Sequence, residues 1–209
     1  MLKHPKLSVP AATVRTRRAY FDCQFGQLHV RTAFPTTGGF DEQVTLFCLH
    51  PLAGSGRAFD RFLPEIADVR SVYAPDMPGC GESDPAPTQD AGDAAAAIFD
   101  LAGDLRLRRI DLLGFQFGAA VALQLAAAHP ELVRRLVLIG IPASEPTAVV
   151  KQETLVLRIK PEPADVVSRA KAWVPHAKFV DAGEYTDDLF DAAPKTLAKQ
   201  IGGFLDSRA

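Results

Sequence analysis

The sequence predicts an α/β fold with a mainly parallel sheet, an antiparallel hairpin at the N-terminal side and helices on both faces. Three observations support this prediction. Short apolar runs alternate with segments of helical composition, which is typical of parallel sheets. The first two β segments instead alternate apolar and polar residues around a turn. The chain, 209 residues and 47% hydrophobic, is long enough to bury one sizeable core.

The first sixteen residues contain Pro5 and Pro10 and few periodic apolar positions. This composition predicts a flexible arm over residues 1–16 and a single domain over residues 17–209. Residues 18–23 and 27–32 then alternate around Phe25 and Gly26. The pattern predicts an antiparallel hairpin with a connection of three to four residues.

The rest of the chain supplies the alternating strands and helices. Apolar runs predict strands at 44–49, 69–74, 110–113, 136–141, 154–159 and 178–180. Helical composition predicts helices at 59–66, 90–105, 117–129, 164–173 and 194–205, the last opened by a proline in its first turn.

Composition excludes several functions. The formal net charge of -2 offers no basic field for a nucleic acid. No signal-peptide core and no apolar run long enough to span a membrane is present, so we expect a cytoplasmic protein without a membrane partner. The three cysteines are widely spaced without a CxxC pair, which predicts reduced thiols, no disulfide framework and no zinc site. We expect no metal or cofactor.

The most informative segment is residues 111–122, which reads as a strand, a glycine-bracketed turn and a helix of small residues. This is the context of the Gly-x-Ser-x-Gly nucleophile elbow, a sharp turn that exposes a serine at the top of a sheet. Gln116 stands at the position of the serine. A carboxamide is neither nucleophilic nor ionisable near neutral pH, so the reactive atom of the elbow is missing.

Three further stretches carry a resemblance to a known family. They are residues 49–56 (LHPLAGSG), 76–84 (DMPGCGESD) and 129–138 (HPELVRRLVL). With the elbow, they resemble the α/β-hydrolase-fold superfamily, of the small esterase, epoxide hydrolase and enol-lactonase type. The resemblance covers about residues 17–205.

The resemblance implies positions for a catalytic triad. The acid position falls in the loop after the strand at 154–159, where Glu162, or less favoured Asp165, stands. The histidine position falls after the strand at 178–180, where the chain has Glu184. Gln116, Glu162 and Glu184 therefore stand at degenerate triad positions, with both nucleophile and base missing.

The resemblance also implies an oxyanion hole formed by the backbone N–H groups of Phe117 and Leu52. His50 borders the same loop, and in the family this residue supports the loop more often than it acts chemically. Pro51 replaces the family's glycine and lacks an N–H. A working carbonyl or anion site and loops retained only for the turn remain equal alternatives.

The family commonly inserts a helical cap between the strands that end near Pro142 and begin near Thr154. This chain has only residues 143–153 there, so we predict no cap domain and an open pocket. An open apolar pocket favours a small-molecule ligand, a protein partner or a homodimer. A minimal esterase ancestry with loops that close on themselves is the alternative.

Three functions therefore compete. The first is a pseudoenzyme that binds or scaffolds a small molecule or a protein. The second is a non-hydrolytic lyase, isomerase or cyclase, in which Glu184 is the general base and Gln116 binds the substrate. The third is a hydrolase with an unrecognised nucleophile, for which Cys80 or Asp76 is the least implausible residue.

Overall fold

The computed structural model describes residue 14 and residues 16–36, 43–159, 162–183 and 188–207. These residues form one sheet of eight strands. The strands are β1 (Thr16–Cys23), β2 (Gly26–Ala33), β3 (Leu46–Leu49), β4 (Val72–Pro75), β5 (Ile110–Phe115), β6 (Val133–Ile139), β7 (Glu153–Arg158) and β8 (Ala177–Asp181).

The strands lie in the order β1-β2-β4-β3-β5-β6-β7-β8. β2 is antiparallel to both of its neighbours, β1 and β4, and all pairs from β4 to β8 are parallel. The predicted fold class is thus confirmed. The predicted hairpin connection was too long, because Cys23 pairs with Gly26 and only Gln24 and Phe25 lie between the strands. Gly26 makes this tight turn possible with a φ of +124°.

Six α-helices flank the sheet in the described part of the chain. They are α1 (Leu63–Ile66), α2 (Ala91–Asp104), α3 (Phe117–Ala128), α4 (Ala164–Trp173), α5 (Leu189–Ala192) and α6 (Pro194–Leu205). Buried side chains of α2, α3 and α4 form one apolar core with one face of the sheet, and those of α1, α5 and α6 form a second core with the other face. Helices on both faces are therefore confirmed.

The predicted helix over residues 59–66 was wrong as a continuous element. A 3₁₀ turn covers Gly56–Phe59, and α1 begins separately at Leu63. Pro64 lies in the first turn of α1, where its missing N–H does no harm, but it could not continue a helix from the preceding turn. The short helix α5 had no counterpart in the sequence-based prediction.

A cluster of charged side chains attaches α6 to the sheet at the end of the strands that is opposite the turn at Gln116. Asp111, fully buried at the start of β5, accepts two hydrogen bonds from Arg134, at 2.9 Å and 2.6 Å. Arg135 bonds Glu153 and donates to the backbone oxygens of residues 204, 205 and 207. Carbonyl groups at the C-terminal end of α6, which have no N–H partner within the helix, thus accept hydrogen bonds from Arg135.

Buried Arg70 completes this cluster by pairing with Asp206 and with Asp111. Burial raises the pKa of the Asp111 carboxyl above its usual value, although the hydrogen bonds and charge of Arg134 oppose that shift. These ion pairs therefore fix the C-terminal helix at the expense of desolvating several charges.

The connection between β6 and β7, residues 140–152, contains no helix. The carboxyl end of the sheet therefore has no helical cover from this connection, as predicted. Among the described residues, no helix is long and apolar enough to cross a lipid bilayer.

Candidate functional site

Gln116 occupies the turn between β5 and α3 with an unusual backbone. Residues that have a Cβ rarely adopt its backbone angles, a φ of 52° and a ψ of −108°. The backbone N–H of Gln116 continues the sheet by donating to the carbonyl of Ile139 at 2.9 Å. The turn therefore has the sharp, strained geometry of a nucleophile elbow, and its apex carries an exposed carboxamide.

Two glycines make this geometry possible. A Cβ on Gly114 would lie 2.3 Å from the carbonyl oxygen of Gly118, so the strand and the helix approach too closely for any side chain there. A Cβ on Gly118 would lie 2.0 Å from the carbonyl oxygen of Leu49. The first turn of α3 therefore packs directly against the end of β3, where the loop of His50 begins.

His50 holds that loop in place with both of its ring nitrogens. Nδ1 lies 2.8 Å from the carbonyl oxygen of Pro51, to which it donates, and Nε2 accepts from the backbone N–H of Met77 at 2.9 Å. Burial lowers the pKa of His50, although the Pro51 hydrogen bond and the charge of Asp76 oppose that shift. The ring is therefore neutral with its proton on Nδ1, and it connects the loop to the chain after β4.

The two proposed oxyanion donors lie close to each other. Leu52 and Phe117 line the same narrow cavity, together with Met77 and Cys80. Phe117 is the first residue of α3, so its N–H belongs to the helix turn that lacks intrahelical acceptors. Leu52 is 54% exposed, and Ala53 after it has a φ of 60°. Leu52 and Phe117 thus border one cavity, and their role as oxyanion donors stays a prediction.

Asp76 organises the turn that faces this loop. Its Oδ1 accepts from the N–H of Gly56 at 2.6 Å, and its Oδ2 accepts from the N–H of Glu82 at 3.0 Å and lies 2.9 Å from His29 Nδ1. The side chain is buried. Because three donors hold its two oxygens, Asp76 supports the loops and is poorly placed to attack a substrate.

A cavity of about 550 Å³ opens at this end of the sheet, and its volume is within the usual range of ligand pockets. We call it the elbow cavity, and its lining residues are Gln116, Phe117, Ala120, Gly140, Ile141, Pro142, Ala143, Ser144, Ile159 and Glu162. Most of its wall is apolar, and the polar side chains are those of Gln116, Ser144 and Glu162. Glu162 and Gln116 therefore line one cavity.

Other sequence-predicted positions lie elsewhere. Asp165 is exposed on α4 and lies 3.8 Å from Arg169, outside the lining of the elbow cavity. Glu184 lies outside the described residues, so its placement at the histidine position stays a prediction. Sequence reasoning missed Ser144, because it lies in no motif. The available signal was its location in the loop after β6, which ends at Ile139 beside the elbow.

The cysteines are poor nucleophiles. Cys48 is fully buried in β3, and burial raises the pKa of its thiol far above the usual value. Burial also raises the pKa of the Cys80 thiol, although a hydrogen bond with the backbone of Ala53 opposes that shift. Neither thiol has the lowered pKa that a thiolate nucleophile needs near neutral pH.

A largely parallel sheet, a strained strand-to-helix turn at its carboxyl edge and a histidine-held loop beside that turn define a protein of the α/β-hydrolase class. Comparison with known proteins agrees. The family described as "alpha/beta hydrolase fold" matches residues 44–190. The chain belongs to this family.

Two curated relatives and one solved structure illustrate the similarity. A 2-hydroxymuconate semialdehyde hydrolase of Pseudomonas sp. is 46% identical over 83 residues, which is 37% of this chain and 28% of the relative. A pimeloyl-[acyl-carrier protein] methyl ester esterase of Neisseria meningitidis is 34% identical over 96 residues, 44% of this chain and 28% of the relative. Naproxen esterase from Bacillus subtilis has a TM-score of 0.78 at 15% identity, with 92% of each chain covered.

The match of this chain spans between 28% and 36% of the length of the first four curated relatives. The likeness to the solved esterase, at 15% identity, shows the fold alone.

Proposed function

We propose that this chain is a pseudoenzyme that binds a small organic molecule in the elbow cavity and does not cleave it through a covalent intermediate. One observation carries the proposal. The apex of the strained elbow, at φ 52° and ψ −108°, holds the carboxamide of Gln116. Hydrolases of this fold attack with the side chain at this apex, and an amide nitrogen or oxygen cannot replace a hydroxyl in that step.

The remaining geometry supports binding. The N–H of Phe117 at the start of α3 and the N–H of Leu52 in the neighbouring loop are backbone donors, which do not depend on side-chain identity. Phe117 lines the elbow cavity itself, so its N–H could hold a carbonyl oxygen of the ligand, whereas Leu52 lines the narrow cavity beside it. The apolar wall formed by residues such as Ile141 and Ile159 would hold the rest of the molecule. The relatives named as hydrolases and esterases support a carbonyl-containing ligand.

The proposal is tested by treating the purified protein with a fluorophosphonate label and a panel of acyl esters, beside the variant Gln116→Ser. We expect no label on the parent and no ester hydrolysis. Covalent labelling of the parent, mapped by mass spectrometry, would contradict the proposal and identify the nucleophile. A label on Ser144, Cys80 or Asp76 would make this chain a hydrolase with an unrecognised nucleophile.

A non-hydrolytic enzyme is the second candidate, because Glu162 shares the elbow cavity with Gln116. A carboxylate at this place could move a proton of a bound substrate, and the backbone donors could stabilise an enolate-like oxygen. Glu184 would be a second base. If a substrate is found, Glu162→Gln and Glu184→Gln should each be assayed, and unchanged turnover in both would exclude this mechanism.

The open face is also where a protein partner or a second copy could bind. Leu52 is 54% exposed beside the elbow, where a cap would cover a pocket. Sedimentation velocity of the parent and of Leu52→Asp tests this. A dimer that dissociates in the variant supports an interface here, and a monomeric parent excludes a homodimer.

A further inference from the structure

The outer edge of β1 forms one margin of the sheet. β1 pairs with β2 on one side, and no strand in the part of the chain that the structure describes pairs with its other side. We infer that β1 of one copy pairs antiparallel with β1 of a second copy, around a two-fold axis at Tyr20. Two eight-stranded sheets then become one continuous sheet.

The hydrogen bonds of β2 show which backbone groups of β1 point outward. His29 lies opposite Tyr20. Its N–H donates to the Ser83 hydroxyl at 2.9 Å, and its carbonyl accepts from the N–H of Asp76 at 2.8 Å, both on the side of β2 away from β1. In an antiparallel pair that exchanges no hydrogen bonds, the backbone groups of both residues point away from each other. The N–H and the carbonyl of Tyr20 therefore face the open edge.

Arg18 and Asp22 share this orientation, because the direction of the backbone groups alternates along a strand. Gln27, which lies opposite Asp22, supports this assignment. Its N–H donates to the Asp84 carboxylate, and its carbonyl accepts from the N–H of Asp84. The outward N–H and carbonyl groups of Arg18, Tyr20 and Asp22 receive no hydrogen bond from the described residues. They form a ready template for another strand.

A two-fold axis at Tyr20 pairs these groups with their own copies. Tyr20 then lies opposite Tyr20 of the second copy, and Arg18 lies opposite Asp22 of the second copy. All of these residues have outward backbone groups, so each pair exchanges two hydrogen bonds, and the three pairs form about six. The pairing thus satisfies the open edge of both copies at once.

The side chains at these positions carry complementary charges. Arg18 and Asp22 are exposed and lie on the same face of β1. Within its own chain, Arg18 lies opposite Arg31, which already pairs with Asp60. No described carboxylate pairs with Arg18, and like charges directly opposite each other destabilise a sheet. The two-fold pairing gives each Arg18 a carboxylate, that of Asp22 in the other copy.

β1 lacks the features that commonly protect an edge strand, which are short length, proline and β-bulges. It has eight residues and no proline, and its register with β2 is continuous from Thr16 to Cys23. Tyr20 leaves the edge accessible, because its ring packs 5.3 Å from that of His29 and its hydroxyl donates to Glu82 at 2.9 Å. The side chain is thus directed over β2.

The inferred interface is remote from the elbow cavity. β1 lies four strands from β5 in the sheet, which is about 19 Å at about 4.8 Å per strand. The elbow cavity of both copies therefore stays open in the dimer. The inference does not depend on the proposed function, and either can fail without the other.

Sedimentation velocity of the full chain over a series of concentrations tests the pairing. We expect a dimer for the parent. Arg18→Asp and Asp22→Arg each turn two attractive pairs into two repulsive ones, so each should raise the dissociation constant at least about tenfold. The double variant restores opposite charges and should restore the dimer. Arg109→Asp, at an exposed arginine before β5, is the matched control and should dimerise like the parent.

Amide hydrogen exchange provides a second measurement. The N–H groups of Arg18, Tyr20 and Asp22 should exchange more slowly as the protein concentration rises. A monomeric parent, or a dimer that both single variants leave unchanged, would overturn the inference. A dimer that dissociates in Leu52→Asp but not in Arg18→Asp would place the interface at the elbow instead. Protection that does not depend on concentration would show that another segment of the same chain covers the edge, which also overturns the inference.

Discussion

Replacing Gln116 with glycine should stabilise the protein relative to Gln116→Ala, which reverses the usual ranking of these residues. At positions whose backbone suits both residues, alanine is more stabilising than glycine by about 0.4–1 kcal/mol, because glycine has more freedom in the unfolded chain. Gln116 has a φ of 52° and a ψ of −108°, so an alanine there keeps the strain and a glycine releases it.

The expected difference follows from two opposing terms. Backbone strain of this kind costs about 1–3 kcal/mol. Subtracting the entropic advantage of alanine, about 0.4–1 kcal/mol, leaves glycine ahead by about 1 kcal/mol. For a chain of this length, such a difference raises the midpoint of thermal unfolding by about 2–4 °C.

Urea unfolding monitored by the fluorescence of the single tryptophan, Trp173, measures the difference directly. Trp173 is buried at the end of α4, so its emission reports loss of the core. The midpoints of the parent, Gln116→Ala and Gln116→Gly report stability directly if the three proteins unfold with the same m-value. An alanine variant as stable as the glycine variant, or more stable, would show that this turn stores no backbone strain.

Three other perturbations test the surrounding architecture. Because burial lowers the pKa of His50 in the folded state, the free energy of unfolding should decrease as the pH falls through about 6.5, the unfolded value, by at most about 1.4 kcal/mol per pH unit. His50→Gln keeps an acceptor for the N–H of Met77 and should weaken this pH dependence, measured by denaturation at several pH values. An unchanged pH dependence would show that other groups cause it. Gly118→Ala should lower the free energy of unfolding by more than about 3 kcal/mol or abolish soluble expression, since its Cβ would meet the Leu49 carbonyl. Gly103→Ala, whose Cβ would have no atom within 4 Å, should instead stabilise α2 by about 0.5–1 kcal/mol. Equal effects of the two substitutions would contradict the close approach of α3 to β3. Asp111→Ala should cost about 3–5 kcal/mol in urea unfolding, because it removes the carboxylate partner of Arg134 and one of the two carboxylate partners of buried Arg70. A loss below about 1 kcal/mol would show that water reaches these arginines.

The sequence predicted much of the fold because local signals and packing agree there. The bounds of α4 and α6 were predicted without error, each beside a proline that marks the start. The break between the turn at Gly56–Phe59 and α1 was missed, because the apolar spacing of the segment is helical and only Pro64 opposes it.

The candidate site was predictable only in part. The elbow motif located Gln116, and the spacing after β7 located Glu162, which the structure brings into one cavity. Hydrogen bonds between residues far apart in sequence leave no pattern in the sequence. The bond from the N–H of Met77 to His50, 27 residues away, is an example. Ser144 was missed because loop packing, rather than any pattern of residue types, brings it to the cavity.

The charged cluster that joins α6 to the sheet has a consequence for synthesis of the chain on the ribosome. Arg134 and Arg135 lie in β6, but several of their acceptors are backbone oxygens of residues 204–207, about 70 positions later. Until residues 204–207 leave the exit tunnel, Arg134 and Arg135 lack these acceptors, and water remains at the end of the sheet where β5 and β6 begin. Nascent chains stalled before residue 204 should therefore remain sensitive to protease.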